Sequence, residues 1–272
     1  MHFARPALMA FLLALLTAFS SASQALVFAV NEGVTYRVSN DEIRARYAAI
    51  ATDVGKILGQ TVRIEPVGDY KVLRKGLAAK EFDLALVHPA HIAIGAMKEG
   101  YKLVAVTKGY TEYRASFLVR NDAPFKTLAD LKGLKVGAPD EDSITAWMVR
   151  ATVRELMGDA KAVSYTYTRF QDAVPFMVEN TFTQAGATAS GPLVKQWQAG
   201  QGKVLGTSRP VPIKEVLASP AITAQQLAEL REYFTTLDST EAGRKKLEPV
   251  KVQGYTAYDE AALLKLGVWL GL

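Results

Sequence analysis

The sequence predicts an α/β fold in which mixed, mostly parallel β-sheets are flanked by helices. Apolar runs of strand length alternate along the chain with segments whose apolar residues recur at helical spacing. The run 82–87 is apolar on both faces except for Asp83, a pattern typical of a central parallel strand that is covered on both sides. A capping box at 39–42, followed by an apolar stripe of helical period, marks a helix after the first strand.

The first 25 residues have the build of a secretory signal peptide. Arg5 supplies a positive start, and residues 7–19 form an apolar run that is too short for a stop-transfer helix. Ser23 and Ala25 place small residues at a cleavage site. We therefore expect residues 1–25 to be removed and the mature chain to begin at Leu26. An uncleaved membrane anchor is the alternative.

Composition narrows the classes of function. The chain has 0 Cys, which excludes a lipid-modified cysteine, a disulfide framework and a thiolate metal site. Past the signal, no apolar stretch in the sequence approaches the ~20 residues of a membrane helix. Removing Arg5 with the signal lowers the formal charge from +5 to about +4. Basic residues are scattered apart from 244–246, so nucleic-acid binding is not expected.

The first half of the chain predicts strands and helices in alternation. After a strand at 26–30, the capping box opens a helix whose buried stripe includes Ile43 and Ile50 and which ends at Gly59. Pro89 predicts a helix start directly after the buried strand. The remaining predicted elements are a strand at 61–67, a helix at 70–80, strands at 102–107 and 115–120, a short helix at 127–132 and a strand at 134–138.

The second half repeats this alternation. Prolines at 210, 212 and 220 favour a return crossing of the chain, because proline limits the conformations of a connector. A second capping box at 223–226 opens a C-terminal helix. The other predicted elements are a helix at 144–157, a strand at 162–167, a helix at 172–180, a strand at 184–189 and a strand-like stretch at 203–207.

Four stretches carry a family resemblance. They are Asp-Tyr-Lys-Val-Leu at 69–73, Phe-Asp-Leu-Ala-Leu-Val-His-Pro at 82–89, Tyr-Arg-Ala-Ser-Phe-Leu-Val-Arg at 113–120, and the segment 128–146. In the last, Leu-Ala-Asp-Leu-Lys-Gly precedes Lys-Val-Gly and Asp-Ser-Ile-Thr-Ala. Over about 26–194 the chain resembles the PhnD-like periplasmic binding proteins for phosphonate, phosphite and related anions.

The resemblance implies a type II periplasmic binding fold with two lobes, two crossovers and a ligand cleft between the lobes. The first lobe would take 26–112 and, after the return crossing, 212–272 with the C-terminal helices; the second lobe would take 113–211. It also implies a monomer that closes over a small oxyanion for an ABC importer. The absence of a cysteine to acylate favours a protein that is free in the periplasm. No cofactor, no bound metal and no catalysis are expected.

The strongest candidate for anion binding is the start of the helix after the strand at 134–138. A polar cap there places unpaired backbone N–H groups at the carboxyl end of a parallel strand, where the helix dipole favours negative charge. We expect Ser143, Ile144, Thr145 and Ala146 to bind the oxyanion, with the two hydroxyls as added donors. Ser143 or Asp142 as an N-cap without function is the alternative. The family pattern Ser-Thr-Ser-Gly is altered here, and three acidic residues at 140–142 oppose an anion unless they point away.

His88 and His91 are the second candidate. Pro89 at the first helical position would put His88 at the cap and His91 in the first turn, beside the exit of the buried strand. Either histidine can donate a hydrogen bond to a ligand oxyanion, and His91 would replace an aromatic residue of relatives. Capping or packing without function is the alternative. A metal site would need a third ligand that nothing nearby supplies.

Four further positions are ligand-binding candidates, two of them implied by the resemblance. Gln171 and Gln184 align with a histidine and an aspartate of relatives, and Gln184 cannot form a charged pair with the ammonium group of an aminophosphonate. Tyr113 and Tyr36 are cleft candidates by position, although either can equally lie in the core or at the rim.

Three functions remain open from the sequence. The first is capture of a small oxyanion for an ABC permease, and the second is ligand sensing for a histidine kinase or chemoreceptor. The third is a periplasmic hydrolase that uses His88 or His91 as a base. No serine elbow, metal motif or paired carboxylates accompany those histidines in the sequence, so we expect no enzyme.

Overall fold

A computed structural model describes residues 25–33, 38–200 and 202–272. Residues 1–24, which make up nearly all of the expected signal peptide, and Tyr36 lie outside the described residues. Within the described ranges, none of the helices has the length and apolar character that a membrane crossing requires.

Eleven strands are present in the described part of the chain. The strands are β1 (Leu26–Val30), β2 (Val62–Pro66), β3 (Leu84–Val87), β4 (Lys102–Thr107), β5 (Ser116–Arg120), β6 (Lys135–Ala138), β7 (Ser164–Tyr167), β8 (Ala185–Thr188), β9 (Gly202–Thr207), β10 (Glu215–Ala218) and β11 (Tyr255–Thr256).

Nine α-helices accompany the strands over the same described residues. The helices are α1 (Asn40–Leu58), α2 (Tyr70–Ala78), α3 (Ala90–Lys98), α4 (Ile144–Met157), α5 (Ala173–Glu179), α6 (Gly191–Ala199), α7 (Ala224–Thr236), α8 (Glu241–Leu247) and α9 (Glu260–Leu270). The short helix expected at 127–132 is a 3₁₀ turn, Leu128–Leu131.

The first lobe is built on a six-stranded sheet in the order β11-β4-β10-β3-β1-β2. β1 lies parallel to β2 and β3, with Phe28 opposite Leu84. β10 joins β3 and β4 in antiparallel orientation, so the chain adds a strand to this sheet after it returns. β3 is buried at all four positions, which confirms the prediction of a covered central strand.

The second lobe is built on a five-stranded sheet in the order β7-β6-β8-β5-β9. β6 is parallel to β7 and β8, and β5 is antiparallel to β8 and β9. The mixed α/β class predicted from the sequence is therefore confirmed, with antiparallel strands in both sheets.

The chain passes between the sheets twice, after β4 and again after β9. The two passing segments pair at an antiparallel bridge between Tyr113 and Val211. The lobe boundaries expected after 112 and 211 fall in these segments, and we propose the hinge there. Beside it, α4 of the second lobe packs against α3 and α9 of the first.

Local sequence explains the helix starts. The Ser39 side chain accepts a hydrogen bond from the Glu42 amide, and Gly59 ends α1 in the left-handed region at φ 68°. In the capping box at 223–226, the Thr223 hydroxyl accepts a hydrogen bond from the Gln226 amide, and the Gln226 side chain accepts one from the Thr223 amide. Helix α6 was missed because Gly191 and Pro192 open it, and these residues indicate a turn as readily as a helix start.

Candidate functional site

A cavity of about 930 Å³ lies between the two lobes. Its wall includes His88 after β3, Ser143 at the start of α4, and Ala189 and Ser190 after β8. Parallel strands of both sheets therefore point their carboxyl ends at one space, which is where ligands bind in open α/β sheets.

A second cavity of about 440 Å³ adjoins the first. The two share five lining residues: Glu32, Tyr70, Asp140, Arg169 and Phe170. The Arg169 guanidinium carbon lies 5.2 Å from the centre of the Phe170 ring. This pair therefore stands at the junction of the two cavities.

The start of α4 faces the larger cavity. Ser143 is the N-cap, and its hydroxyl accepts a hydrogen bond of 3.1 Å from the Ala146 amide. Ser143, Ile144 and Thr145 line the cavity, although Thr145 is only 1% exposed. Ile144 and Thr145 belong to the first turn, whose N–H groups have no intrahelical acceptor. Ala146 is buried, is not among the lining residues, and uses its amide for the cap.

An ion pair joins the lobes beside this helix start. From α2, Arg74 Nη1 donates to Asp142 Oδ2 at 2.7 Å and Nη2 donates to Oδ1 at 2.6 Å. Burial acts to raise the pKa of Asp142, but the His91 ring and the Arg74 guanidinium outweigh it and hold the pKa well below its usual range. Asp142 is thus directed to a cation and not towards an anion at Ser143. Asp140, by contrast, lines both cavities.

His91 belongs to this interface and not to the cavity wall. It is 3% exposed, and its Nε2 lies 3.0 Å from Arg74 Nη2 and 3.4 Å from Asp142 Oδ1. Nδ1, on the other side of the ring, is buried and has no hydrogen-bond partner among the described residues. Burial is the main reason that the pKa of His91 is lowered. The ring stacks on Trp147 of α4 at 4.9 Å between centres.

The placement of His91 corrects the sequence interpretation. We expected it to contact the ligand from the first lobe, but it is not among the described residues that line either cavity. His91 lies about one helical turn beyond the end of β3, and from there its side chain points to the neighbouring lobe and not into the cavity.

His88 does line the larger cavity. Its ring packs against Gly33, where a Cβ atom would come within 2.6 Å of His88 Cδ2. Pro89, and not His88, occupies the N-cap of α3. Burial, followed by the charge of Lys214 and the neighbouring His91, lowers the pKa of His88 to about 3. The imidazole is therefore neutral at pH 7.

Gln171 ties three parts of the second lobe together. Its Nε2 donates to the Tyr113 hydroxyl at 3.1 Å, and its Oε1 accepts from the Thr188 hydroxyl at 2.8 Å and the Ala189 amide at 2.7 Å. Gln171 and Tyr113 both line the larger cavity. The network fixes the orientation of the tyrosine beside the end of β8.

Gln184 lies at the opposite end of β8. Its side chain is exposed, and Oε1 accepts from the Lys135 amide at 3.0 Å. It is not among the described residues that line either cavity. The resemblance suggested Gln184 as a ligand-binding residue, but the structure places it one strand length away from the cavity.

Sequence reasoning missed Arg74, Trp147, Arg169 and Phe170. The ion pair of Arg74 with Asp142 spans 68 positions of sequence, and no local pattern announces it. The described residues contain no cluster of three or more histidine, aspartate or glutamate side chains that could hold a metal ion.

Two α/β lobes, joined by two passing segments and enclosing a cavity at the ends of their parallel strands, define a two-lobed binding protein. The sequence profile of the phosphonate ABC transporter periplasmic substrate-binding proteins matches residues 33–263. The chain belongs to this family.

Solved structures with the same fold are similar to this chain at low identity. XAC2383 from Xanthomonas citri bound to ATP is 14% identical with a TM-score of 0.71, covering 92% of this chain and 98% of its own. PhnD1 from Prochlorococcus marinus in complex with methylphosphonate is 14% identical with a TM-score of 0.64, covering 90% and 96%. The PA3383 component of an ABC phosphonate transporter from Pseudomonas aeruginosa is 18% identical with a TM-score of 0.59, covering 90% and 85%. No curated protein matches the chain in sequence.

Proposed function

We propose that this protein acts in the periplasm, captures a compound with a small oxyanion group by lobe closure, and delivers it to an ABC permease. Phosphonate, phosphite and phosphate-like groups are the proposed oxyanions. The observation that carries the proposal is the start of α4, which opens into the cavity between the lobes with Ser143, Ile144 and Thr145 in its wall.

The donors at this helix start suit an anion. The first-turn amides of Ile144 and Thr145 and the dipole of the 14-residue α4 favour negative charge. The Thr145 hydroxyl adds a neutral donor. Asp142, the nearest carboxylate in sequence to the cap, is neutralised by Arg74 of the other lobe. The local field is therefore less negative than the acidic sequence suggests.

Donors from other elements face the same space. The neutral His88 ring comes from the first lobe, and Tyr113, held by Gln171, comes from the passing segment. A ligand at the start of α4 would thus contact both lobes, and a ligand that binds the closed arrangement more tightly shifts the lobes towards it.

The relatives support this ligand class. One similar structure contains methylphosphonate and another contains ATP, and both ligands carry a phosphorus oxyanion. The family itself serves phosphonate ABC transporters, which supports periplasmic capture and a permease partner.

A thermal-shift series tests the anion site. Wild type is expected to be stabilised by methylphosphonate, phosphite or phosphate, because a ligand that binds only the folded state raises its stability. The double variant Ser143→Ala with Thr145→Ala should lose that ligand-dependent shift. Thr223→Ala is the matched control, since Thr223 caps α7 in the same way but is exposed and is not among the residues that line either cavity.

Two outcomes would refute the proposed anion site. One is an equal ligand-dependent shift in wild type and the double variant, and the other is no shift in wild type with any of the three anions. A separate experiment, crosslinking in membranes from the source cell, identifies the partner. We expect a permease, and a histidine kinase would contradict the transport role.

A further inference from the structure

We infer that the oxyanion is the head group of a larger organic compound whose apolar or aromatic substituent packs against Phe170 and α6. The inference rests on the proposed function, because it assumes that the head group binds at the start of α4. It names what fills the remainder of the same cavity.

The size of the cavity is the first reason. The lobes are already joined by the Arg74–Asp142 ion pair and the His91–Trp147 stack, yet about 930 Å³ remains between them. An oxyanion of five heavy atoms fills at most about 150 Å³, if each atom is given the ~30 Å³ share of a water molecule. Cavities of roughly 300–1,000 Å³ are typical of sites for larger organic ligands.

The chemistry of the wall is the second reason. Away from α4 the wall of the cavity includes six aromatic and aliphatic side chains of the second lobe and the passing segments. Phe170 is 38% exposed although it is a large apolar side chain. These lining residues are Tyr110, Phe170, Pro192, Leu193, Val194 and Ile213. Such a wall gains free energy by covering an apolar surface and gains none from an inorganic ion.

The balance of charge in the wall is the third reason. The larger cavity is lined by four carboxylates and four cationic side chains, and His88 is neutral. The carboxylates are Glu32, Glu112, Asp140 and Asp172, and the cations are Arg114, Arg169, Lys195 and Lys214. A balanced wall does not favour a second anionic group, so one charged head with an uncharged remainder fits best.

Arg169 and Phe170 complete a platform for the substituent. The guanidinium lies over the Phe170 ring, and both residues face the two adjoining cavities. Stacked arginine and phenylalanine offer a flat surface for a ring. Among the described residues no carboxylate forms a salt bridge with Arg169, so its plane is not held elsewhere by an ion pair.

Calorimetric titration with two matched probes tests the inference. Phenylphosphonate and methylphosphonate share the head group and differ only in the substituent. We expect phenylphosphonate to bind at least about tenfold more tightly to wild type, since the ring covers apolar wall that a methyl group cannot reach. Phe170→Ala should remove most of that difference and leave the affinity for methylphosphonate within about twofold.

Phe176→Ala is the control variant. Phe176 is another exposed phenylalanine of the same lobe, at 55% exposure, and it is not among the lining residues of either cavity. Equal affinities for the two probes, or an equal effect of the two variants, would overturn the inference while leaving the anion site intact. Failure of wild type to bind either probe would overturn the proposed function and the inference together.

Discussion

Removal of the Arg74 guanidinium should weaken ligand binding although Arg74 lines neither cavity. Arg74 lies on α2 of the first lobe, and Asp142 lies on the segment that leads into α4 of the second. The substitution Arg74→Met keeps a long flexible stem and good helix propensity and removes only the charged fork. The variant therefore releases one direct link between the lobes.

The size of the effect follows from the geometry. The pair is bidentate, which strengthens it, but the Arg74 and Asp142 side chains are 39% and 38% exposed, so solvent screens it. We assign it about 1 kcal/mol, which changes the ratio of joined to separated lobes by about fivefold. If the ligand binds the joined arrangement, the apparent Kd rises by up to the same factor of about five.

Two measurements test the predicted loss of lobe closure and of ligand affinity. Small-angle X-ray scattering should show a larger radius of gyration for ligand-free Arg74→Met than for wild type, and calorimetry with methylphosphonate should show the weaker affinity. Arg120→Met is the matched control, because Arg120 forms a bidentate pair with Asp122 within the second lobe at 3.0 and 3.2 Å. Unchanged affinity in Arg74→Met, or an equal loss in Arg120→Met, would refute a role for the link in closure.

Three further predictions concern substitutions of single side chains. Gln171→Ala should lower the free energy of unfolding by about 1–3 kcal/mol in urea titrations, because it leaves Thr188 and the Ala189 amide without their acceptor, and it should weaken methylphosphonate binding. Gln184→Ala should leave that affinity unchanged in the same calorimetry, and a comparable loss would contradict the assigned cavity wall. Glu215 is fully buried at the start of β10, and its carboxylate oxygens have no hydrogen-bond partner among the described residues. Burial raises the pKa of this carboxyl well above its ordinary value. The contribution of Glu215 to stability is therefore greatest below the ordinary pKa of the unfolded chain, and it falls as the pH rises towards the raised pKa of the folded protein. Glu215→Gln should therefore raise Tm relative to wild type more at pH 8 than at pH 5 in scanning calorimetry, whereas an equal change at both pH values would be inconsistent with an uncharged folded carboxyl.

Local sequence signals predicted the parts of the fold that depend on local physics. The covered strand β3 and the N-cap at Ser143 were both readable, because two-sided burial and capping act within a few residues. The antiparallel strand β10 was not readable, since its pairing with β3 joins residues more than a hundred positions apart. The parallel character of the sheets was accordingly overestimated.

The candidate site was predicted unevenly for the same reason. Ser143, Thr145 and His88 line the larger cavity because strand ends place them there. The direction of a side chain within a helical turn was not readable, so His91 was assigned to the ligand although it stacks on Trp147. No sequence pattern relates Arg74 to Asp142, because their contact exists only when two separate lobes meet.

The central claim is that the first-turn amides of α4 receive the anion. Two-dimensional ¹H–¹⁵N NMR of the labelled protein, titrated with methylphosphonate, observes those amides directly. We predict that the Ile144 and Thr145 resonances shift downfield and saturate with the affinity measured by calorimetry, since an N–H that donates to an oxyanion is deshielded. Saturable binding that leaves both resonances in place and moves amides elsewhere would contradict the account.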